Sequence, residues 1–252
     1  LRLFKYEARL KVADYDIEDS QLATFREICE LVQGSPLALR LTAQWVGVLT
    51  LEEIRERLQF DIDMLSQPNG RLDRKSLRGV FEGTWRLLTP ALQTALADLS
   101  VFAAPFDAEA ARGVAGVDLS VLGSLVNKGL LARNKDGRFA MHVSVRTYAY
   151  EKLARRDKAL EAARNRHARY CLDAVRASVE RNDPSTATAA RAQRLRSSFA
   201  DIRAAWAFAL EANETATAER SIEALCYFLY TQSMLREAVD LFSIAARGEQ
   251  MG

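Results

Sequence analysis

Apolar residues recur at three- and four-residue steps along almost the whole chain, and only 12 glycines and 5 prolines interrupt them over 252 residues. Such spacing lays one apolar stripe along a helix and leaves little sequence for a sheet, so short helices joined by tight loops are expected. After Ser20 the stripe is Leu22, Phe25, Ile28, Cys29 and Val32, and Gly34 follows as a C-terminal cap. Pro36 opens the next helix, where its missing N–H removes no helical bond, and Leu37, Leu41, Trp45 and Val48 run along one side. Thr50 then caps Leu51 to Leu58, with Glu52 and Glu53 in the positive first turn.

A polar, turn-rich stretch between Ser66 and Ser76 marks the first expected boundary. Beyond it, Ser76 starts a helix with Leu77, Val80, Phe81, Thr84, Leu87 and Leu88 inward. Thr89 and Pro90 open another through Leu99, Asp107 opens one toward Gly113, and Asp118 or Ser120 begins one that stops at Gly129. The one clear β signal follows: Leu130 to Arg133, a turn over Asn134, Lys135, Asp136 and Gly137, then Arg138 to His142. Helices and a hairpin in that order predict a winged helix.

From Val143 the helical pattern resumes, with breaks at residues 182–185, 212–215 and 232–233. Small residues such as Ala204, Ala205, Ala209 and Ala224 would let helices approach closely, as in a tetratricopeptide-type solenoid, although a plain helical bundle gives the same stripes. The expected fold is therefore mainly α. Residues 1–66 form a helical domain, 67–155 a winged-helix domain with one hairpin, and 156–252 an α-solenoid arm of TPR-like helices.

Charge narrows the partners. The 35 basic and 33 acidic residues leave a formal charge of +2, which suggests neither a nucleic acid nor an acidic ligand surface. Cys29, Cys171 and Cys226 are far apart and odd in number, so reduced, packed thiols and a cytoplasmic location are expected. No apolar run approaches the roughly 18 residues of a membrane span. The chain starts at Leu1 rather than Met, as expected of a segment cut from a longer protein. With two histidines, no metal-spaced Cys-His pair and no nucleophile elbow, catalysis within the chain is not expected. His167, flanked by Arg164, Arg166 and Arg169, reads as a solvated-face residue; Trp45, Trp85 and Trp206 read as core.

Two segments about a hundred residues apart carry the most functional information. Gly34-Ser35-Pro36-Leu37-Ala38-Leu39 resembles the GxP segment, and the stretch from Phe139 to Arg146 around Met141-His142 resembles the Met-His-Asp segment, of the STAND class of regulatory ATPases (NB-ARC and AP-ATPase-like). The nearest likeness is to the bacterial transcription-regulator branch. Leu99-Ser100-Val101-Phe102-Ala103, Lys128-Gly129-Leu130-Leu131, the Met141 to Leu153 helix start and Asp201 to Leu210 fall in that family's order. The resemblance implies a sensor of bound ADP or ATP with Mg. Pro36 would pack against adenine beside Gly34 and Leu37, and His142 would donate to the β-phosphate. Plant and animal members carry Asp after the histidine, whereas this chain has Val143.

No glycine is followed by lysine, so the phosphate-cradling P-loop is absent and would be supplied by an upstream domain. The resemblance further implies a protein or small-molecule effector taken up by the helical arm. Taken alone, Gly34 to Leu37 is a turn before a Pro-started helix. Two other functions compete. A winged-helix DNA-binding module would use Asp118 to Lys128 as its recognition element, but Lys128 is that segment's one cation, too few to grip phosphates and guanines, and the wing cations Arg133, Lys135 and Arg138 beside Asp136 make a weak footprint. The other is a helical protein-interaction scaffold.

Overall fold

In the computed structural model of the chain, residues 1–32, 34–64, 72–180, 186–212 and 215–248 are described. The chain is mainly α-helical with one small antiparallel sheet. Its helices are α1 (Arg2–Arg9), α2 (Leu22–Leu31), α3 (Pro36–Ala43), α4 (Leu51–Met64), α5 (Leu72–Arg86), α6 (Pro90–Leu99), α7 (Ala108–Ala115) and α8 (Leu119–Asn127). The hairpin strands β1 (Ala132–Arg133) and β2 (Phe139–Ala140) follow. Then come α9 (Val143–Ala154), α10 (Asp157–Glu180), α11 (Thr186–Ser197), α12 (Phe199–Glu211), α13 (Thr215–Thr231) and α14 (Leu235–Gly248).

Local chemistry accounts for most of these boundaries. Ser35 Oγ accepts the Ala38 N–H at the start of α3, and Thr50 and Glu53 exchange backbone and side-chain bonds of 2.7 and 3.2 Å in a capping box. Asp107 caps α7. Asp118 caps α8, its carboxylate taking the Ser120 and Val121 amides. The hairpin turn is closed by Asn134, whose Oδ1 takes the Asp136 and Arg138 amides, while Gly137 supplies a φ of 77°. The paired strands are shorter than the sequence predicts. Phe106, between α6 and α7, forms an isolated antiparallel bridge to Phe139.

The chain divides into two compact units, each gathered from separate stretches. Unit 1 comprises Leu1–Thr94, Gly123–Ala132 and His142–Tyr148. In it α1 packs on α3, α2 on α4, and α5 on both α3 and α4. Phe4 meets Phe25 edge-on at 5.1 Å, and Phe4, Ile28, Leu41, Ile54 and Leu58 are fully enclosed. Glu7, buried on α1, binds Arg40 at 2.9 Å and Gln44 at 3.3 Å, joining α1 to α3 by charge as well as packing. The expected stripe through Val48 fails: α3 ends at Ala43, a 3-10 turn over Gln44–Gly47 shifts the helical phase, and Val48 is 73% exposed. The expected helix start at Ser76 is also corrected, since α5 begins at Leu72.

Unit 2 comprises Ala95–Leu122, Arg133–Met141 and Ala149–Gly252. Its core joins Leu172 and Val175 of α10, Ile202, Ala205 and Trp206 of α12, Leu225, Phe228 and Leu229 of α13, and Leu241 of α14. Helix α10 packs on α12 and α13, and α12 on α13 and α14, the neighbour pattern of two stacked helix pairs. Trp206 donates its indole N–H to the Leu241 carbonyl at 3.1 Å. Ala205, Ala209 and Ala224 are buried, as close approach requires, but Ala204 faces solvent. Two further expectations are corrected here. Cys226 is exposed rather than packed, and His167 is buried to 4% exposure rather than solvated. The break expected at residues 182–185 lies outside the described residues, as does most of the polar stretch after Ser66.

Candidate nucleotide-facing site

Gly34 closes α2. Its N–H reaches back five residues to the Cys29 carbonyl at 2.9 Å, its φ is 64°, and no atom lies within 4 Å of where a Cβ would be. The glycine is thus required by backbone conformation and leaves open space above the turn. Pro36 at the first position of α3 is exposed and Leu37 is half-buried, so an apolar step borders that space.

His142 is exposed and sits one residue before α9. Its carbonyl accepts the Arg146 amide at 2.9 Å, and its Nδ1 accepts the Ser144 amide at 3.2 Å, so the ring caps the helix. With Nδ1 accepting, the neutral ring carries its proton on Nε2, which makes no hydrogen bond among the described residues. The helix start is held in place by Tyr148, whose hydroxyl binds Glu82 at 2.5 Å and whose ring lies 5.5 Å from Phe81 and 6.0 Å from Trp85 on α5.

Gly34, Pro36, Leu37 and His142 fall within the same compact unit, with α5 packed on α3 and also touching Tyr148. No hydrogen bond or ion pair among the described residues joins His142 to the other three. Two cations, Lys11 and the Lys128 of the Lys128-Gly129-Leu130-Leu131 motif, are brought together in this unit. The Lys11 ammonium donates to the Asn127 carbonyl. Burial first, then the like charge of Lys128, push its pKa below the ordinary lysine value, partly offset by Glu7. Gly129, next to Lys128, lies against α3, its Cβ position 3.7 Å from Leu41. Only the fold could reveal this pair, because Lys11 and Lys128 are separated by most of unit 1.

A second polar constellation, in unit 2, was also invisible in sequence. The Asp201 carboxylate accepts the Ala103 amide at 2.6 Å and the Ala104 amide at 3.3 Å, and meets His167 Nε2 at 3.2 Å. Cys171 Sγ lies 3.6 Å from the same nitrogen. Because thiol and carboxylate share one ring nitrogen, the histidine cannot relay a proton from one to the other through its two nitrogens as a nucleophile triad does. Burial, with the Asp201 charge second, pushes the Cys171 thiol well above its usual range and leaves it a poor nucleophile. The constellation is structural. No group of three metal-ligating side chains occurs among the described residues, and no described helix is long and apolar enough to cross a membrane.

No protein-family model matches the chain, and no solved structure does. The chain is 30% identical over 167 residues to an uncharacterized protein found in Mycobacterium tuberculosis and Mycobacterium bovis, a match covering 61% of this chain and 42% of the relative. It is also 29% identical over 255 residues, 96% of its own length, to a protein of both organisms named "Putative HTH-type transcriptional regulator". That match spans 28% of the regulator's length, so the chain is similar to a limited part of a larger protein.

Proposed function

We propose that this chain is the sensing portion of a nucleotide-switched transcription regulator. Gly34, Pro36, Leu37 and His142 contact ADP or ATP, with Mg and the phosphates held by an upstream P-loop domain, and the stacked helices of unit 2 take a protein or small-molecule effector. The observation that carries this reading is that two motifs more than a hundred residues apart share one compact unit. Two features support it further. The proton-bearing Nε2 of His142 is left without a partner among the described residues once Nδ1 caps α9. Lys11 and Lys128 add positive charge to the same unit, where a diphosphate would be welcome. Similarity to a transcription regulator along 96% of the chain supports the regulatory setting. In this reading the chain is not itself an enzyme and works in the cytoplasm.

The test is ADP retention by the full-length protein. His142→Ala is expected to weaken retention about tenfold, the loss of one charge-assisted hydrogen bond. Retention equal to the parent would overturn the reading.

A winged-helix DNA reader is the second possibility, favoured by the order α6, α7, α8 and hairpin, by the Phe106–Phe139 bridge, and by the HTH in the relative's name. Against it, the exposed positions within α8 and at its N-terminus are Asp118, Leu119, Ser120 and Asn127, none of them a cation that could neutralise phosphate, and Lys128 just beyond the helix is only half-exposed. Salt-dependent binding of a random duplex by this chain would favour the DNA reader.

A further inference from the structure

Unit 2 encloses a cavity of about 220 Å³, the liquid share of about seven waters. Its walls are apolar, from Phe102, Phe106, Leu195 and Ile202, and its polar lining includes Arg138 and Arg194. We propose that this cavity binds a small organic carboxylate with an aromatic or branched apolar body, paired to the Arg138 guanidinium. These residues are separate from the nucleotide-facing ones, so the proposal does not depend on nucleotide sensing.

Arg138 is the reason for the assignment. It is half-buried at the start of the hairpin's return strand and makes no ion pair among the described residues. Its two terminal nitrogens donate to the neutral hydroxyls of Ser197 and Ser198, the second at 2.6 Å. Its Nε is buried and has no hydrogen-bond partner among the described residues. A guanidinium with a nitrogen taken out of water, as Nε is here, normally meets a carboxylate or phosphate, because an unsatisfied buried donor on a charged group is costly.

Three acids, Asp107, Glu109 and Asp201, also line the cavity, and none of them fills that role. Asp107 spends its carboxylate on the amide that starts α7. Asp201 is spent on the Ala103 and Ala104 amides and on His167. Glu109 is exposed and solvated. Arg138 therefore retains an unmet demand for an anion. A carboxylate entering the cavity would draw the guanidinium off the two serines, replacing neutral acceptors with a charged one and satisfying Nε in a two-pronged pair.

The ring and aliphatic walls define the rest of the ligand. Phe102 and Phe106 stack with centroids 4.4 Å apart, and Ala174 and Ala177 on α10 leave the space that larger side chains would occupy. An apolar body displaces water from those walls, while the carboxylate supplies orientation. Arg194 carries a second charge at the lining and makes no side-chain bond among the described residues.

The experiment is a calorimetric and ligand-observed NMR titration of this chain at low salt with three probes of one shape: 3-phenylpropionate, 3-phenylpropanol and 3-phenylpropylamine. Saturable binding of the acid is expected, with the alcohol and the amine at least about tenfold weaker, the ratio that one good charged pair supplies. Arg138→Gln should weaken the acid about tenfold and leave the alcohol unchanged. Ala177→Phe, which fills the cavity from α10, should abolish binding of all three, and helical circular dichroism establishes that both variants fold. Equal affinity for acid and alcohol, full acid affinity in Arg138→Gln, or no saturable binding of any probe would each overturn the proposal.

Discussion

The motif residues in unit 1 and the Asp201 cluster in unit 2 use their polar groups in opposite ways. In unit 1 Gly34 and His142 are exposed and hold only neighbours in sequence: Gly34 bonds Cys29, and His142 bonds Ser144. In unit 2 Asp201 and His167 are 2% and 4% exposed, and the Asp201 carboxylate reaches an amide 98 residues away. A polar group with local, solvent-facing partners can turn to a ligand at small cost to the fold. One with distant, buried partners is spent on the fold itself, and its removal leaves other groups stranded.

The sharpest way to break this comparison is Asp201→Ala. It removes the acceptor of the part-buried Ala103 and Ala104 amides and of the buried His167 imidazole, and a group left unsatisfied out of water costs about 1–3 kcal/mol. A total of about 3 kcal/mol is expected, which lowers the Tm of a chain this long by about 6–12 °C. Alkylation gives an independent readout. In the parent chain, Cys226 is exposed and should label quickly, while Cys171 is buried, with its thiol held protonated by burial, and should resist. In Asp201→Ala, Cys171 should become reactive. A variant as stable as the parent, with Cys171 still protected, would place Asp201 among the dispensable groups and dissolve the contrast.

That contrast also explains what could be read from the sequence. Helix starts at Ser35-Pro36, Thr50 with Glu53, Asp107 and Asp118, and the Asn134-Gly137 turn, are set within a few residues, so periodicity and capping rules find them. The four residues proposed to face a nucleotide were legible for the same reason, since each lies in a short motif. His167 was not. Three arginines surround it in sequence, and the residues that bury it, Phe102 edge-on at 5.1 Å and Asp201, arrive from other parts of the chain. Arg138 was likewise read as a wing cation, because nothing nearby in sequence shows that it lines a cavity. Val48 was misassigned because a 3-10 turn changed the helical phase, which no stripe count registers.

A smaller effect is expected at Gly113, within α7. A Cβ there would meet Tyr170 Cδ2 at 2.7 Å, closer than the ring can tolerate without moving. Tyr170 itself is constrained: burial, then the Asp107 and Glu109 carboxylates, push its phenol well above the usual range. Gly113→Ala should therefore destabilise unit 2 by about 1–2 kcal/mol, overpacking outweighing the better helix propensity of alanine. In a Tyr170→Ala background the same change should become neutral or stabilising, because only the propensity gain remains. Persistence of the full penalty without the ring would mean that the backbone, not the packing, requires glycine. Chemical denaturation of the parent and the three variants of this cycle measures the coupling.

The smallest stability effect, and the most discriminating, is expected at His142. Its structural role is that of a cap: Nδ1 takes one amide at the head of α9. Alanine removes the cap at a cost of about 1 kcal/mol, whereas asparagine, a strong N-cap residue, should keep it within about 0.5 kcal/mol of the parent. The proposed ligand contact uses the other side of the ring, Nε2, which the shorter asparagine cannot extend to. His142→Asn should therefore unfold like the parent yet lose ADP retention in the full-length protein as fully as His142→Ala does. If retention instead followed stability, falling in alanine and returning in asparagine, His142 would act only by ordering α9, and the polar groups of unit 1 would serve their own fold just as those of unit 2 do.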